Sequence, residues 1–162
     1  MGQNNFTQTT FNIVLYQPEI PENTGNIGRL CLGANAELHL IKPMKFIIND
    51  KYLKRAGLDY WEKVKLTIHE DWKTFLLSVA NDANIYLCST KGKIIYTDIS
   101  FKKGDYLVFG QESRGIPKEI LNEHENKVIK IPMSEEIRSL NLANSVAIVL
   151  YEGLRQNGVI NG

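Results

Sequence analysis

The sequence predicts an α/β fold with a mostly parallel sheet, on three observations. Short apolar runs bounded by turn residues recur along the chain, segments with helical spacing alternate with them, and no repeat, low-complexity tract or Pro/Gly/Ser-rich linker breaks the alternation. The chain has 162 residues, 43% of them hydrophobic and 23% charged, so one core can form without a disulfide or a metal. A single domain follows.

In order, the run Phe11 to Tyr16 reads as a buried strand. Pro18 and Pro21 postpone the next helix until Asn23 or Thr24 can cap it, which predicts a helix from Gly25 to Asn35. A strand over Leu38 to Ile41 and helices over Lys51 to Ala56 and Asp71 to Ala80 come next, then strands over Ile85 to Cys88 and Tyr106 to Phe109. A helix over Pro117 to Leu121 and a strand over Val128 to Ile131 lead to the clearest helix, Asn141 to Gln156. There Leu142, Val146, Val149, Leu150, Gly153 and Leu154 form one apolar stripe, and Ala143, Ala147 and Ile148 widen it, as in a helix buried wholly within one subunit or in one packed both on its own sheet and on another subunit.

Composition removes several function classes. Cys31 and Cys88 are far apart in apolar runs with no Cys/His ligand spacing, so they read as buried thiols, with no metal site. No apolar stretch reaches the roughly 20 residues of a membrane span, and the polar start MGQNNFTQTT lacks a signal-peptide core. A cytoplasmic protein with a frayed tail over residues 1–10 is expected. The net charge is only +1, but residues 42–65 hold seven basic residues (Lys42, Lys45, Lys51, Lys54, Arg55, Lys63 and Lys65) against Asp50, Asp59 and Glu62. That cluster is either a phosphate-facing patch or a solvated lysine-rich surface.

Three loops carry the chemistry, each following a predicted strand, where an open α/β sheet binds its ligands. In the first, residues 18–29, Asn23 and Arg29 would flank the opening turns of a helix whose free N–H groups favour an anion. In the second, residues 109–117, Gly110 and Gly115 permit close backbone approach, and Glu112 between them can accept from ribose hydroxyls or take a proton. In the third, residues 131–145, Ser139 and Asn141 are natural caps, yet Arg138, Ser139, Asn141 and Asn144 together exceed what one helix start needs. Neither a GxGxxG nor a GxxxxGK[ST] fingerprint occurs, which speaks against a nucleotide-dependent oxidoreductase.

The runs IVLYQPEIPENTGNIGRLC (13–31), RAGLDYWE (55–62), TKG (90–92), FGQESRGIP (109–117) and IPMSEEIRSLNLANSVA (131–147), in that order, resemble the motifs of the SPOUT-class RNA methyltransferases over residues 11–158. Within that class they are most similar to the small enzymes acting on the wobble ribose of tRNA. The resemblance implies a C-terminal trefoil knot in a methyltransferase domain over 11–162, S-adenosyl-L-methionine as cofactor, S-adenosyl-L-homocysteine as product, and a homodimer with shared active sites. It further implies transfer of a methyl group to the 2′-hydroxyl of pyrimidine 34 in the tRNA anticodon loop.

Carried over by position, the resemblance implies a cofactor pocket of Leu87, Cys88, Gly110, Ile131, Ser139 and Leu140. It assigns Asn23, Arg29, Glu112, Asn141 and Tyr151 to catalysis. Lys51, Lys54, Arg55, Arg114 and Arg138 are the expected RNA phosphate contacts. Gln111, Ser113, Leu140, Ala143 and Gly28 depart from the usual family residues. The alternatives are a SPOUT enzyme acting on another tRNA or rRNA nucleotide, and a non-catalytic RNA-binding module of the same fold, which would not need the polar set intact.

Overall fold

A computed structural model describes residues 6–48 and 59–160. Seven parallel strands form one sheet: β1 (Asn12–Tyr16), β2 (Glu37–Ile41), β3 (Leu66–His69), β4 (Ile85–Cys88), β5 (Ile94–Ile95), β6 (Tyr106–Phe109) and β7 (Val128–Lys130), in spatial order β3-β2-β1-β6-β4-β7-β5. Among the described residues the α-helices are α1 (Pro21–Ala34), α2 (Trp72–Ser78), α3 (Lys118–Glu123) and α4 (Leu142–Gln156). The α/β class and its parallel sheet stand as the sequence predicts.

The central strands are apolar on both faces because both faces are covered. Alternation along β1 sends Ile13 and Leu15 into a core shared with Ile27 of α1 and Val146, Val149, Leu150 and Leu154 of α4. Val14, on the opposite face, joins Phe75 of α2 and Ile120 and Leu121 of α3. Space in the first core is tight: a Cβ on Gly153 would come within 2.8 Å of the Phe11 ring, and one on Gly28 within 2.2 Å of Trp61.

Several boundaries differ from expectation. Helix α1 begins at Pro21, not beyond Asn23, with Ile20 as an N-cap that makes no side-chain bond. Proline suits the first helical position, where its missing N–H would have no intrahelical partner. Arg29 consequently lies in the later half of α1, not beside its opening turns. Pro117 sits just before α3 instead of within it. Strands β3 and β5 were not foreseen: β3 is an edge strand with Thr67 and Ile68 exposed, and β5 is only two residues long. The helix anticipated over Lys51 to Ala56 lies outside the described residues.

Residues 6 and 10, within the tail expected over 1–10, are tied to the end of α1. Thr10 is fully buried and its hydroxyl donates to the Ala34 carbonyl at 2.8 Å, while Asn35 Nδ2 donates to the Phe6 carbonyl at 2.8 Å. Asn35 itself ends α1 in the left-handed conformation, φ 50°, its N–H reaching the carbonyls of Cys31 and Leu32.

A buried polar chain runs through the second core. Asn12 Nδ2 donates to the Gly104 carbonyl at 3.0 Å, which turns its Oδ1 toward His39 Nε2 at 2.9 Å; His39 Nδ1 lies 3.0 Å from His69 Nε2. The acceptor Oδ1 makes Nε2 the protonated nitrogen of His39, so Nδ1 accepts from His69. Burial, then the neighbouring His69, pushes the His39 pKa from 6.5 down to about 4; burial lowers that of His69 too. Unfolded chains therefore take up protons near 6.5 that the folded chain refuses until about 4. Stability should be fully present above that upper value and fall progressively as pH drops through the window. Thermal midpoints measured across it check this; a flat profile contradicts the buried neutral pair.

Candidate functional site

The loops that leave β1, β4, β6 and β7 meet at the carboxyl edge of the sheet, as the open α/β arrangement requires. They enclose a cleft of about 530 Å³, within the roughly 300–1,000 Å³ of small-molecule sites. Phe109, Ile116, Ile131, Leu140 and Leu142 supply apolar wall; Ser89, Thr90, Ser139, Asn141 and Ser145 supply polar groups; Lys91, Arg114 and Arg138 supply positive charge.

Ten of the anticipated residues line this cleft: Asn23, Cys88, Gly110, Glu112, Arg114, Ile131, Arg138, Ser139, Leu140 and Asn141. Leu87 does not, being fully buried under the sheet face beside Val108 and Val128. Cys88 is half-buried against the cleft and not a fully buried thiol; burial of its sulfur nonetheless pushes the pKa up to about 12, which keeps it a neutral wall. Ser89, Thr90, Lys91, Gln111, Ser113, Met133 and Ser145 line it without having been assigned a role. The signal for Ser89, Thr90 and Lys91 was the Thr90–Gly92 run just after a strand, and the other four sit within the loops 109–117 and 131–145.

Arg29 and Tyr151 stand apart from the cleft. Arg29 is exposed on α1, its guanidinium 5.9 Å above the Tyr60 ring, in an open groove with Leu32, Gly33, Asp59 and Lys63. Tyr151 is 39% exposed on α4. Lys51, Lys54 and Arg55 lie outside the described residues. Of the remaining basic cluster, Lys42 pairs with Glu70 at 3.3 Å, Lys45 with Glu19 at 3.8 Å, and Lys65 contacts Thr9 and Asn35, so part of that charge is answered within the chain.

Glu112 has a different task from the one its loop position suggests. Its Oε1 accepts from the Glu19 N–H at 3.0 Å, and its Oε2 from the Ile20 N–H at 2.7 Å and from Asn23 Nδ2 at 3.3 Å. The carboxylate thus answers the amides leading into α1, which no side-chain cap serves. Asn141 Nδ2 continues the chain by donating to Asn23 Oδ1 at 3.3 Å, while Asn141 Oδ1 accepts from the Asn144 N–H at 3.2 Å and caps α4. One hydrogen-bond path, Glu112 to Asn23 to Asn141, joins three walls of the cleft.

Gly110 is also explained internally. A Cβ there would lie 2.1 Å from the Gly115 carbonyl carbon and 2.3 Å from the Ile116 nitrogen. The close approach comes from the loop's own return, closed by the Gln111–Gly115 bridge with Gly115 at φ 68°.

The chain matches the model of the SpoU rRNA methylase family over residues 10–151. It belongs to that family. A tRNA (cytidine(34)-2′-O)-methyltransferase of Escherichia coli K12 is 48% identical over 148 residues, covering 91% of this chain and 94% of the relative. Its counterpart from Methylovorus glucosotrophus is 48% identical over 149 residues, 91% of this chain and 96% of that one. A solved structure concerned with 2-OH methylation of C/U34 on tRNA superposes with TM-score 0.85 at 43% identity, over 91% of this chain and 96% of its own. The fold extends to distant members: the SpoU methyltransferase AviRb from Streptomyces viridochromogenes, solved with AdoMet, gives TM-score 0.73 at 19% identity over 93% of this chain and 61% of that one. The knotted α/β class implied by the motifs is that of these SpoU structures.

Gly110→Ala should cost about 1–3 kcal/mol, since backbone and not a flexible side chain must move. Urea denaturation measures it, and an unchanged midpoint with an unchanged slope would mean the loop has free room.

Proposed function

We propose that this chain transfers a methyl group from S-adenosyl-L-methionine to the ribose 2′-hydroxyl of the wobble pyrimidine, position 34, in tRNA. The observation that carries the reading is the convergence of ten anticipated residues on one cleft in a chain almost half identical to enzymes of that activity. The lining fits the cofactor: apolar wall at Ile131, Leu140 and Leu142 for a base, and the hydroxyls of Ser89, Thr90, Ser139 and Ser145 for a ribose.

When bound, the cofactor supplies a methyl group already activated on a sulfonium. What remains for the protein is to orient the acceptor hydroxyl and manage its proton. Asn23 and Asn141, tied to each other at 3.3 Å, hold fixed amides at the cleft wall. Glu112 positions them; with its oxygens engaged by three donors it is poorly placed as the base, which leaves a substrate phosphate oxygen or water. Arg29 cannot serve as a base, because a guanidinium keeps its proton. Its role is to grip the neighbouring phosphate and stabilise the developing alkoxide.

Arg29 and Tyr151 reach a cleft in a homodimer. The outer surfaces of α1 and α4 leave Leu32 36% and Tyr151 39% exposed, and Ala143, Ala147 and Ile148 only half-buried. A second copy packed there covers these groups and brings Arg29 of the partner subunit toward the first cleft. Sedimentation should give a dimer at micromolar concentration; a monomer refutes the shared site. Arg114 and Arg138, exposed at the cleft mouth, then meet RNA phosphate, together with Lys51, Lys54 and Arg55.

The deciding experiment supplies labelled S-adenosyl-L-methionine and tRNA lacking the modification, then maps the product by mass spectrometry. Methyl on ribose 34 supports the reading. Methyl on another nucleotide keeps the methyltransferase reading and discards the substrate, and no transfer discards both. Arg29→Lys should lose at least about tenfold in kcat/KM while retaining cofactor affinity, because lysine lacks the bidentate fork. Wild-type turnover by this variant would exclude the phosphate grip.

A further inference from the structure

The loop between β6 and α3 is closed at its base by the Gln111–Gly115 bridge, but its tip projects toward the segment entering α1. Two carboxylates cross there. Glu112 accepts from the N–H groups of residues 19 and 20, and Glu19 accepts in return from Ser113, from its N–H at 2.9 Å and its hydroxyl at 2.6 Å. The second half is not demanded by burial. Ser113 is exposed, and without Glu19 its N–H and hydroxyl would be answered by water. The same Ser113 lines the cleft, whereas Glu19 does not.

We propose that Glu19 is a positioning residue, which through Ser113 holds the tip of the cofactor-cleft loop against the start of α1. The proposal rests on the methyltransferase reading. Glu112 anchors only its own residue of the turn 112–114, which leaves the exposed Ser113 and Arg114 the local freedom of a surface turn. The Glu19 bonds remove that freedom, so the wall stands in its closed form before the cofactor arrives and the ordering cost is lowered at binding. Ser113, with Lys45 and Arg114 close by, holds the Glu19 carboxyl below the usual carboxylate range, so the acceptor stays ionised.

Glu19→Ala should raise the dissociation constant of S-adenosyl-L-homocysteine, and the KM for S-adenosyl-L-methionine, roughly tenfold, the scale of one or two charge-assisted hydrogen bonds. kcat at saturating cofactor should stay within about twofold, and the thermal midpoint of the cofactor-free protein should scarcely move, since exposed pairs contribute little to stability. Ser113→Ala, which keeps the N–H bond, should show a smaller rise. Glu19→Gln keeps an acceptor oxygen and should recover most of the affinity. A purely structural role would lower the midpoint and kcat and leave KM unchanged, which overturns the proposal, as does Glu19→Ala binding as tightly as wild type. A wild-type chain that binds no S-adenosyl-L-homocysteine overturns the functional reading itself.

Discussion

A sheet whose strands all run the same way delivers every strand's carboxyl end to one edge, and this constraint governs the rest of the molecule. Four loops converge there, each arriving with backbone N–H groups that take an acceptor either from water or from a neighbouring segment. The acceptors come from the loops themselves: the Glu112 carboxylate for residues 19 and 20, Glu19 for residue 113, the Asn141 amide for residue 144. Solving the backbone problem in this way also fixes the cleft, because the segments that trade hydrogen bonds are its walls.

Elements buried on both faces were legible in the sequence. β1, β4 and β6 announce themselves as apolar runs, β2 as a run interrupted by His39, and α4 as a stripe at helical spacing, because burial selects apolar residues on both faces of a central strand and along one side of a helix. β3 escaped because an edge strand needs only partial cover; its pattern of half-buried, exposed and buried residues resembles a loop. The start of α1 is hidden from local capping rules, because the carboxylate that answers its entrance lies 92 residues away. No local rule can register a partner at that separation.

The site shows the same division. That residues 109–117 and 131–145 supply walls of one cleft was legible in the glycines of the first and the polar residues of both, each segment following a strand. What each residue does there depends on neighbours only the fold supplies. Glu112 among glycines suggests an acid or base for a ligand, yet three donors of the first loop take its oxygens. Gly110 suggests room for a ligand, yet its space is filled by Gly115 and Ile116. The excess of polar groups before α4 was a sound signal in part: Asn141 is explained as a cap bonded to Asn23, whereas Arg138 and Ser139 remain exposed at the cleft and open to a ligand.

Charge at the cleft separates what belongs to the cofactor from what belongs to the RNA. Lys91, Arg114 and Arg138 line it against one acid, Glu112, whose oxygens are directed at amides of the first loop. A cofactor bearing a sulfonium and an ammonium beside one carboxylate carries net positive charge and gains little from three cations around it. A polyanion gains from all of them, and its phosphates release counterions in doing so. On the proposed reading the rim therefore contributes mainly to RNA binding, and methyl transfer should weaken with rising salt through the affinity for tRNA while the affinity for cofactor holds steady. On the same reading the apolar and hydroxyl-bearing part of the wall, untouched by salt, is the part that recognises the cofactor.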